Sequence, residues 1–343
     1  MCYNIFEGAA DMKKITMKEI AKLANVSQPT VSRVINGNKG VNEEAAKRVL
    51  DAIQKVGYVP NKAAQTLKQS NSKIIGVCVS EIYNPYFVEL IDTLELEARK
   101  KDYNIIFHNS KHNPITEWEN IQNFIARQVD GIIIVPTSDY NIQKIKDLRT
   151  PAISITQNKK HIDSVGLDHR KGGELAAASF IHSGHNSFAY IGTTPEDEKL
   201  IGFKSCLYEN GFSFDMKNYI HVEESSTNNY LMRRDLEKYF NRVGQPDFTC
   251  VFATNDIVAL EFMKLAQEKS LSIPKDIAVI GFDDTFLAKI TGLSSVHQPV
   301  EKMVKTTFSI LMNRIEDGTS SELVDIKLEP TLITRQSSNI KRT

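Results

Sequence analysis

The sequence predicts an α/β protein in which a small all-α headpiece precedes a larger core of doubly wound parallel sheets arranged as two similar halves. Three observations predict it. Residues 16–36 spell two short helices joined by a tight turn. From Ile74 onward, continuous apolar runs alternate with amphipathic stretches, as in parallel strands covered on both faces by helices. The length of 343 residues suits one small and one large domain better than a single small core.

The headpiece elements follow in order. Thr16-Met17-Lys18-Glu19 is a capping box, with a hydroxyl to close the first helical turn and Glu19 to reach back. Ile20, Ala21 and Leu23 supply an apolar stripe at helical spacing. Ala24-Asn25-Val26 breaks it, and Ser27 caps a second helix through Val34. Pro29 stands in that helix's first turn, where a missing N–H does no harm. Val31, Val34 and Ile35 face inward, which leaves Gln28, Thr30, Ser32 and Arg33 outside. Such a helix-turn-helix can lay its second helix in the major groove, where those groups reach base edges and phosphates. A third helix runs from its cap Asn42 to Val56, with Glu43 and Glu44 at its positive end and Gly57 placed to stop it.

Charge is segregated along the chain. Formal net charge is zero, with 42 basic and 42 acidic residues. Between Met12 and Lys73, however, twelve lysines and arginines face four acids, a surplus of eight. A basic head on an acidic body suits a duplex-binding module, because phosphate neutralisation supplies most non-specific affinity. No apolar run approaches the roughly 20 residues needed to span a bilayer. The first eleven residues have neither a signal peptide's basic start nor its apolar segment, and residues 1–11 are expected to be an unstructured leader with Met12 as a start. Four scattered cysteines without CxxC spacing point to reduced thiols in a cytoplasm.

In the core, strands are expected at Ile74–Val79, Ile105–His108, Gly131–Val135, Ala152–Ile155, Phe188–Ile191, Cys250–Ala253 and Ile277–Gly281. Helices are expected at Tyr86–Lys101, Trp118–Arg127, Lys171–Ser183, Leu200–Glu209 and Ile257–Lys269. The alternation divides into two halves near Asp168–Gly172. Val300–Glu316 and Leu323–Leu328 have no obvious place in the second half. In open α/β sheets, ligands bind beyond the carboxyl ends of the strands. There the sequence places Asn84, Tyr86 and Phe87 after the first strand, and Asp168 at the division. Asn255 and Asp256 follow Phe-Ala-Thr, Asp283 and Asp284 follow Ile-Gly-Phe, and Gln298 precedes Pro299. Aromatic faces suit a sugar or purine ring, and short acids and amides suit vicinal hydroxyls. Asp256 is expected to act as a helix cap, Asp283 to contact ligand.

VSQPTVSRVING at 26–37 and GYVPNKAAQTLKQ at 57–69 resemble the headpiece and hinge of the lactose-repressor family of bacterial transcription regulators. The resemblance runs from about Lys13 to the end. It implies a headpiece over 12–60, a hinge helix and linker over 61–72, and a two-lobed, sugar-binding-like core. The first lobe would be 73–170 plus 300–330, the second 171–299 plus 331–338, so that the late stretches cross back to the first half. It implies base reading by Gln28, Pro29 and Arg33, and backbone positioning by Thr16, Ser27, Thr30, Ser32 and Asn36. It adds Tyr58, Asn61 and Ala64 at the hinge, with Leu67 as a wedge between base steps in the minor groove, where two hinge helices pair. Positions matching Asp168, Asn255, Asp283 and Gln298 line the family's effector pocket, joined here by Asn84 and Phe87. The family commonly has an arginine where Lys199 stands, and lysine keeps the charge but loses the planar fork.

Enzymatic chemistry finds no support. No phosphate-cradling glycine loop occurs, and Asp168-His169 lacks an accompanying serine elbow. His182 and His185 have no partner at ligand spacing, so no metal or cofactor is called for. The expected partners are operator DNA, a small-molecule effector (a sugar or sugar phosphate), and a second copy in a homodimer, since one headpiece reads only a half-site. No membrane partner is expected. The chain ends soon after Arg335 without apolar heptads, so the tetramer-forming tail of the lactose repressor is not expected. Ser309 stands where a related regulator has an arginine for a phosphoprotein corepressor, which favours a small molecule. The competing reading is a sugar sensor whose head contacts a protein rather than DNA.

Overall fold

A computed structural model describes residues 15–35, 40–58, 71–223, 229–318 and 322–341. Contacts divide the chain into two units, one ending at Ser70 and one beginning at Asn71. Among the described residues no helix is long and apolar enough to cross a membrane.

The first unit holds α1 (Met17–Leu23), α2 (Gln28–Ile35) and α3 (Glu43–Val56). The Thr16–Glu19 capping box closes at both ends: the Glu19 amide donates to the Thr16 hydroxyl and the Thr16 amide to the Glu19 carboxylate. Asn25 takes a left-handed φ of 50° in the turn, a conformation asparagine tolerates better than most residues. Asn42 caps α3, and Gly57 ends it at φ 61°. Ile20, Ala21, Ala24, Val31, Val49 and Ala52 form a small core. Leu23 corrects the expected stripe. It is 57% exposed, because α1 is two turns long and buries only Ile20 and Ala21 of its own residues. The Arg48 guanidinium donates to the Ala24 carbonyl, so part of the basic surplus braces α3 on the end of α1.

The second unit builds two six-stranded sheets. The first contains β1 (Ile74–Val79), β2 (Asn104–Asn109), β3 (Gly131–Ile134), β4 (Ala152–Thr156) and β5 (Asp163–Leu167). The helices α4 (Pro85–Lys100), α5 (Pro114–Ala126) and α6 (Asp139–Lys146) come between them. The second follows α7 (His169–His182): β6 (Phe188–Gly192), α8 (Glu198–Glu209), β7 (Tyr219–His221), α9 (Asn229–Val243), β8 (Cys250–Ala253), α10 (Asp256–Glu268), β9 (Ala278–Asp283), α11 (Phe286–Thr291) and β10 (Ser294–His297). The chain then returns to the first sheet with α12 (Val300–Asp317) and β11 (Asp325–Leu328), and ends in the second with β12 (Thr331–Ile333). The strand orders are β11-β5-β4-β3-β1-β2 and β12-β10-β9-β8-β6-β7, parallel throughout except for the β10–β12 pair. The chain therefore passes between sheets near residues 168, 298 and 330.

Each sheet is covered on both faces, as the continuous apolar runs require. In the first, Ile75, Val77 and Val79 face Leu90 and Leu94 of α4 and Phe308 of α12. The alternate residues Cys78, Ile132 and Ile134 face Ile121 and Phe124 of α5. In the second, Tyr190, Phe252 and Ile280 pack toward α7 and α8, and Ile191, Val251 and Val279 toward α9 and α10. Where α7 crosses α8 the backbones touch. A Cβ on Gly173 would stand 1.9 Å from the Lys199 carbonyl oxygen, and one on Gly202 2.0 Å from that of Arg170. Only glycine permits that crossing, and it sets Lys199 at the mouth between the sheets.

Candidate functional site

On the headpiece, α2 presents Gln28, Pro29 and Arg33 as exposed residues, while Thr30 and Ser32 are half-buried. Exposed Ser27 caps the helix: the Thr30 amide donates to its hydroxyl at 3.3 Å. Thr16 is exposed and Tyr58 packs half-buried against the small core. Asn36, Asn61, Ala64 and Leu67 lie outside the described residues. The outward face of α2 is polar and carries a guanidinium, so it can donate to guanine O6/N7 or to phosphate oxygens.

In the second unit a cleft lies between the sheets, at the carboxyl ends of their strands. Its inner part encloses about 210 Å³ and is lined by Asn84, Phe87, Lys199, Asn255, Asp283 and Gln298, six of the seven effector residues expected from sequence. It opens into an outer part of about 700 Å³ across His169, Lys199 and Thr254, which border both.

Asn84 shows how local sequence builds the site. Its Oδ1 accepts from the Tyr86 amide and caps α4, whose first residue is Pro85. Its Nδ2 is then free to point across the cleft, where it donates to Asp283 Oδ2 at 2.7 Å. Gln298 Nε2 donates to the other oxygen, Oδ1, at 2.6 Å. Asp283 is 7% exposed and adopts φ 105°, a strained conformation for a residue with a Cβ, followed by Asp284 at φ 54°. Tyr86 and Phe87 stand edge-to-face with ring centroids 5.2 Å apart and give the cleft an aromatic wall; Tyr83 is 61% exposed and takes no part.

Lys199 is held by its own lobe. Its ammonium donates to the Thr254 carbonyl at 2.8 Å and lies 4.5 Å over the Phe282 ring. Behind it, Asp197 accepts from the Tyr190 hydroxyl at 2.5 Å and from the Thr254 hydroxyl at 3.0 Å. Burial alone would raise Asp197, but Lys199 and these hydrogen bonds hold its carboxyl below the ordinary value.

One expectation, that for Asp256, is corrected. Asp168 caps α7 through the Lys171 amide and pairs with Lys327 at 3.3 Å. Its neighbour His169 borders the cleft. Asp256 does not cap α10, because Asn255 does so by accepting from Val258. Asp256 turns inward, fully buried, and accepts from the Thr285 amide and hydroxyl and the Ser295 hydroxyl. Burial, with the charge of Asp283 added, pushes it up to about 7 against the pull of those bonds.

Sequence reading missed Glu81, His112, Thr156 and His169, all on the lining. Thr156 has φ 73°, which no local motif announces. On this lining His169 Nδ1 and Gln298 Oε1 are buried without a hydrogen-bond partner among the described residues, and His112 Nε2 faces Glu81 Oε1 at 4.0 Å. Buried polar atoms are rarely left so, and here the protein leaves acceptor capacity open at the cleft.

Comparison with known proteins adds two matches to family models. Residues 16–61 match the bacterial regulatory proteins of the lacI family, and 177–338 a periplasmic binding protein-like domain. Catabolite control protein A of Priestia megaterium is 31% identical over 335 residues, covering 94% of this chain and 99% of that one. Among solved structures, a transcriptional regulator CelR–cellobiose complex aligns with TM-score 0.67 at 26% identity over 94% of this chain and 99% of that one. The lac repressor dimer bound to operator and an anti-inducer aligns with TM-score 0.82 at 22% identity over 95% and 99%, a likeness of fold.

Proposed function

This chain belongs to the lacI family of bacterial regulatory proteins, and from that premise we propose that it is a ligand-responsive, sequence-specific DNA-binding transcription regulator, a repressor of a carbohydrate-utilisation operon. It binds operator DNA as a homodimer and takes its effector in the cleft between the core lobes. It is a regulator and not an enzyme, as its relatives are. It works in the cytoplasm, where its operator is.

The observation that carries this reading is the exposure of Gln28, Pro29 and Arg33 on one helix of a head with a surplus of eight positive charges. Two such heads reach two half-sites of a pseudo-palindrome. A head that docks on a protein needs no such surplus, and that reading is not favoured. Residues 61–72 are assigned to the hinge by resemblance alone. Support for the cleft comes from its two unpartnered buried acceptors, His169 Nδ1 and Gln298 Oε1, and from the CelR relative, solved with cellobiose. An effector shifts operator affinity to the extent that it prefers one arrangement of the lobes, worth about 1–3 kcal/mol.

The test is selection of duplexes from fragmented genomic DNA, followed by gel-shift titration at 50 and 200 mM salt. The reading expects a pseudo-palindrome bound with an affinity that falls steeply between the two salts, by roughly 10³-fold or more if six or more phosphates are neutralised. No duplex bound at the lower salt would overturn it.

A further inference from the structure

We infer that His169 is a specificity-determining residue of the cleft, an uncharged hydrogen-bond acceptor that together with Gln298 admits a hydroxyl-rich neutral ligand and rejects its phosphate ester. The inference rests on the cleft being the effector site.

The tautomer follows from the surroundings. His169 Nε2 lies 3.3 Å from the Thr156 carbonyl oxygen, which can only accept, so Nε2 carries the hydrogen. Thr156 presents that carbonyl from a left-handed φ of 73°. The lone pair is thereby left on Nδ1, which is buried and without a partner. The ring is stacked on Phe282, centroids 5.6 Å apart and 26° from parallel, and a half-turn in that plane would put a carbon where Nε2 meets the Thr156 carbonyl. Burial, and then Lys199 beside it, pull its pKa down to about 4, so the ring stays neutral near pH 7.

Gln298 is oriented by the same logic. Its Nε2 donates to Asp283, and the reversed amide would set two oxygens against each other. Its Oε1 is therefore a second buried, unpartnered acceptor on the same lining. A ligand that satisfies both must donate twice, as a molecule with several hydroxyls can.

Charge decides against a phosphate. A phosphate ester brings about −1.5 to −2 charges and acceptor oxygens only. The inner cleft faces it with the carboxylates of Glu81 and Asp283, both over nine-tenths buried, and with no arginine. The one ammonium of the inner part, Lys199, is already directed at Thr254 and Phe282, and the outer part's Lys159 and Lys327 are paired with Asp139 and Asp168. His112 stands 4.0 Å from Glu81. Helix amino ends border the cleft and favour anions, but Asn84, Asp168 and Asn255 already cap them.

Isothermal titration of the full chain with D-glucose, D-galactose, maltose, sucrose and cellobiose, and with glucose 6-phosphate and maltose 6′-phosphate, tests this. The expected result is binding by at least one neutral sugar, with its phosphate ester bound at least tenfold more weakly. His169→Phe keeps the stacking, removes the acceptor and should weaken that sugar roughly tenfold, the loss of one buried hydrogen bond, while the unliganded protein stays folded and loses only its bond to the Thr156 carbonyl. A phosphate ester bound as tightly as its parent, no binding by any neutral sugar, or full affinity in His169→Phe would each overturn the inference. A sugar bound equally by the wild type and Asp283→Ala would instead place the site outside the cleft and overturn the reading beneath it.

Discussion

Asn84 Nδ2 and Asp283 Oδ2, 199 residues apart in sequence, meet at 2.7 Å and join the lobe of the first sheet to that of the second. With Gln298 on the other oxygen, the carboxylate is gripped from two sides in a site 7% exposed. Under the proposed function, a ligand hydroxyl that takes Asp283 would compete with Asn84 for it and so tie occupancy to the contact between lobes. Asn84→Ala should lower stability by about 1–3 kcal/mol, since it leaves a buried acceptor short of a donor and uncaps α4. A double-mutant cycle with Asp283→Ala in urea unfolding should give a coupling of about 0.5–3 kcal/mol. Additive effects would mean that the pair is not energetically linked.

Asp256 makes stability depend on pH near neutrality. Its folded pKa, pushed to about 7 by burial and Asp283, lies well above the ordinary carboxylate range, so the folded state binds its proton more tightly than the unfolded chain does. The stabilisation from that proton is complete below the unfolded value and is lost as pH rises through about 7. Thermal unfolding from pH 6 to 8.5 should show a midpoint that falls with pH, and Asp256→Asn should flatten the slope. A midpoint that rises across this window in the wild type, with the same rise in Asp256→Asn, would contradict the assignment.

The crossing of α7 and α8 positions Lys199 through backbone contact at Gly173 and Gly202. Gly173→Ala puts a methyl against the Lys199 carbonyl, and backbone must move to admit it. Chemical denaturation should show a loss of about 1–3 kcal/mol or more, as for an overpacked core. Unchanged stability would mean that the helices can part without cost.

Much of this was legible in the sequence, for identifiable reasons. The headpiece is written in local signals (a capping box, Ser27, Asn42, Gly57), and each acts within a few residues. The apolar strands β1, β3 and β8 show in continuous runs because both their faces are buried. By contrast β5 and β10 read Asp-Ser-Val-Gly-Leu and Ser-Ser-Val-His, and their buried serines and acids are tolerated only because distant groups meet them. Ser294 Oγ donates to the Arg335 carbonyl, and Asp163 receives a two-pronged bond from Arg314. The site divides in the same way. Asn84, Asp283 and Gln298 stand at strand ends beside recognisable turns. His169 borders the cleft with its ring on the Thr156 carbonyl, a residue at positive φ, and no spacing announces that contact.

On the proposed DNA-reading face, Gln28→Ala and Arg33→Ala should each cost about 1–3 kcal/mol of discrimination at one base position of the half-site. Binding to selected and mismatched duplexes by fluorescence anisotropy checks this. A loss equal for every sequence would reassign the residue to phosphate contact.

The most direct measurement is the affinity of the full chain for its selected operator with and without a saturating cleft ligand, in the wild type and in Asp283→Ala. The account predicts a change of about 5- to 150-fold in the wild type and none in the variant, which should still bind the operator. Operator affinity that stays the same in the wild type when the cleft is filled would contradict it.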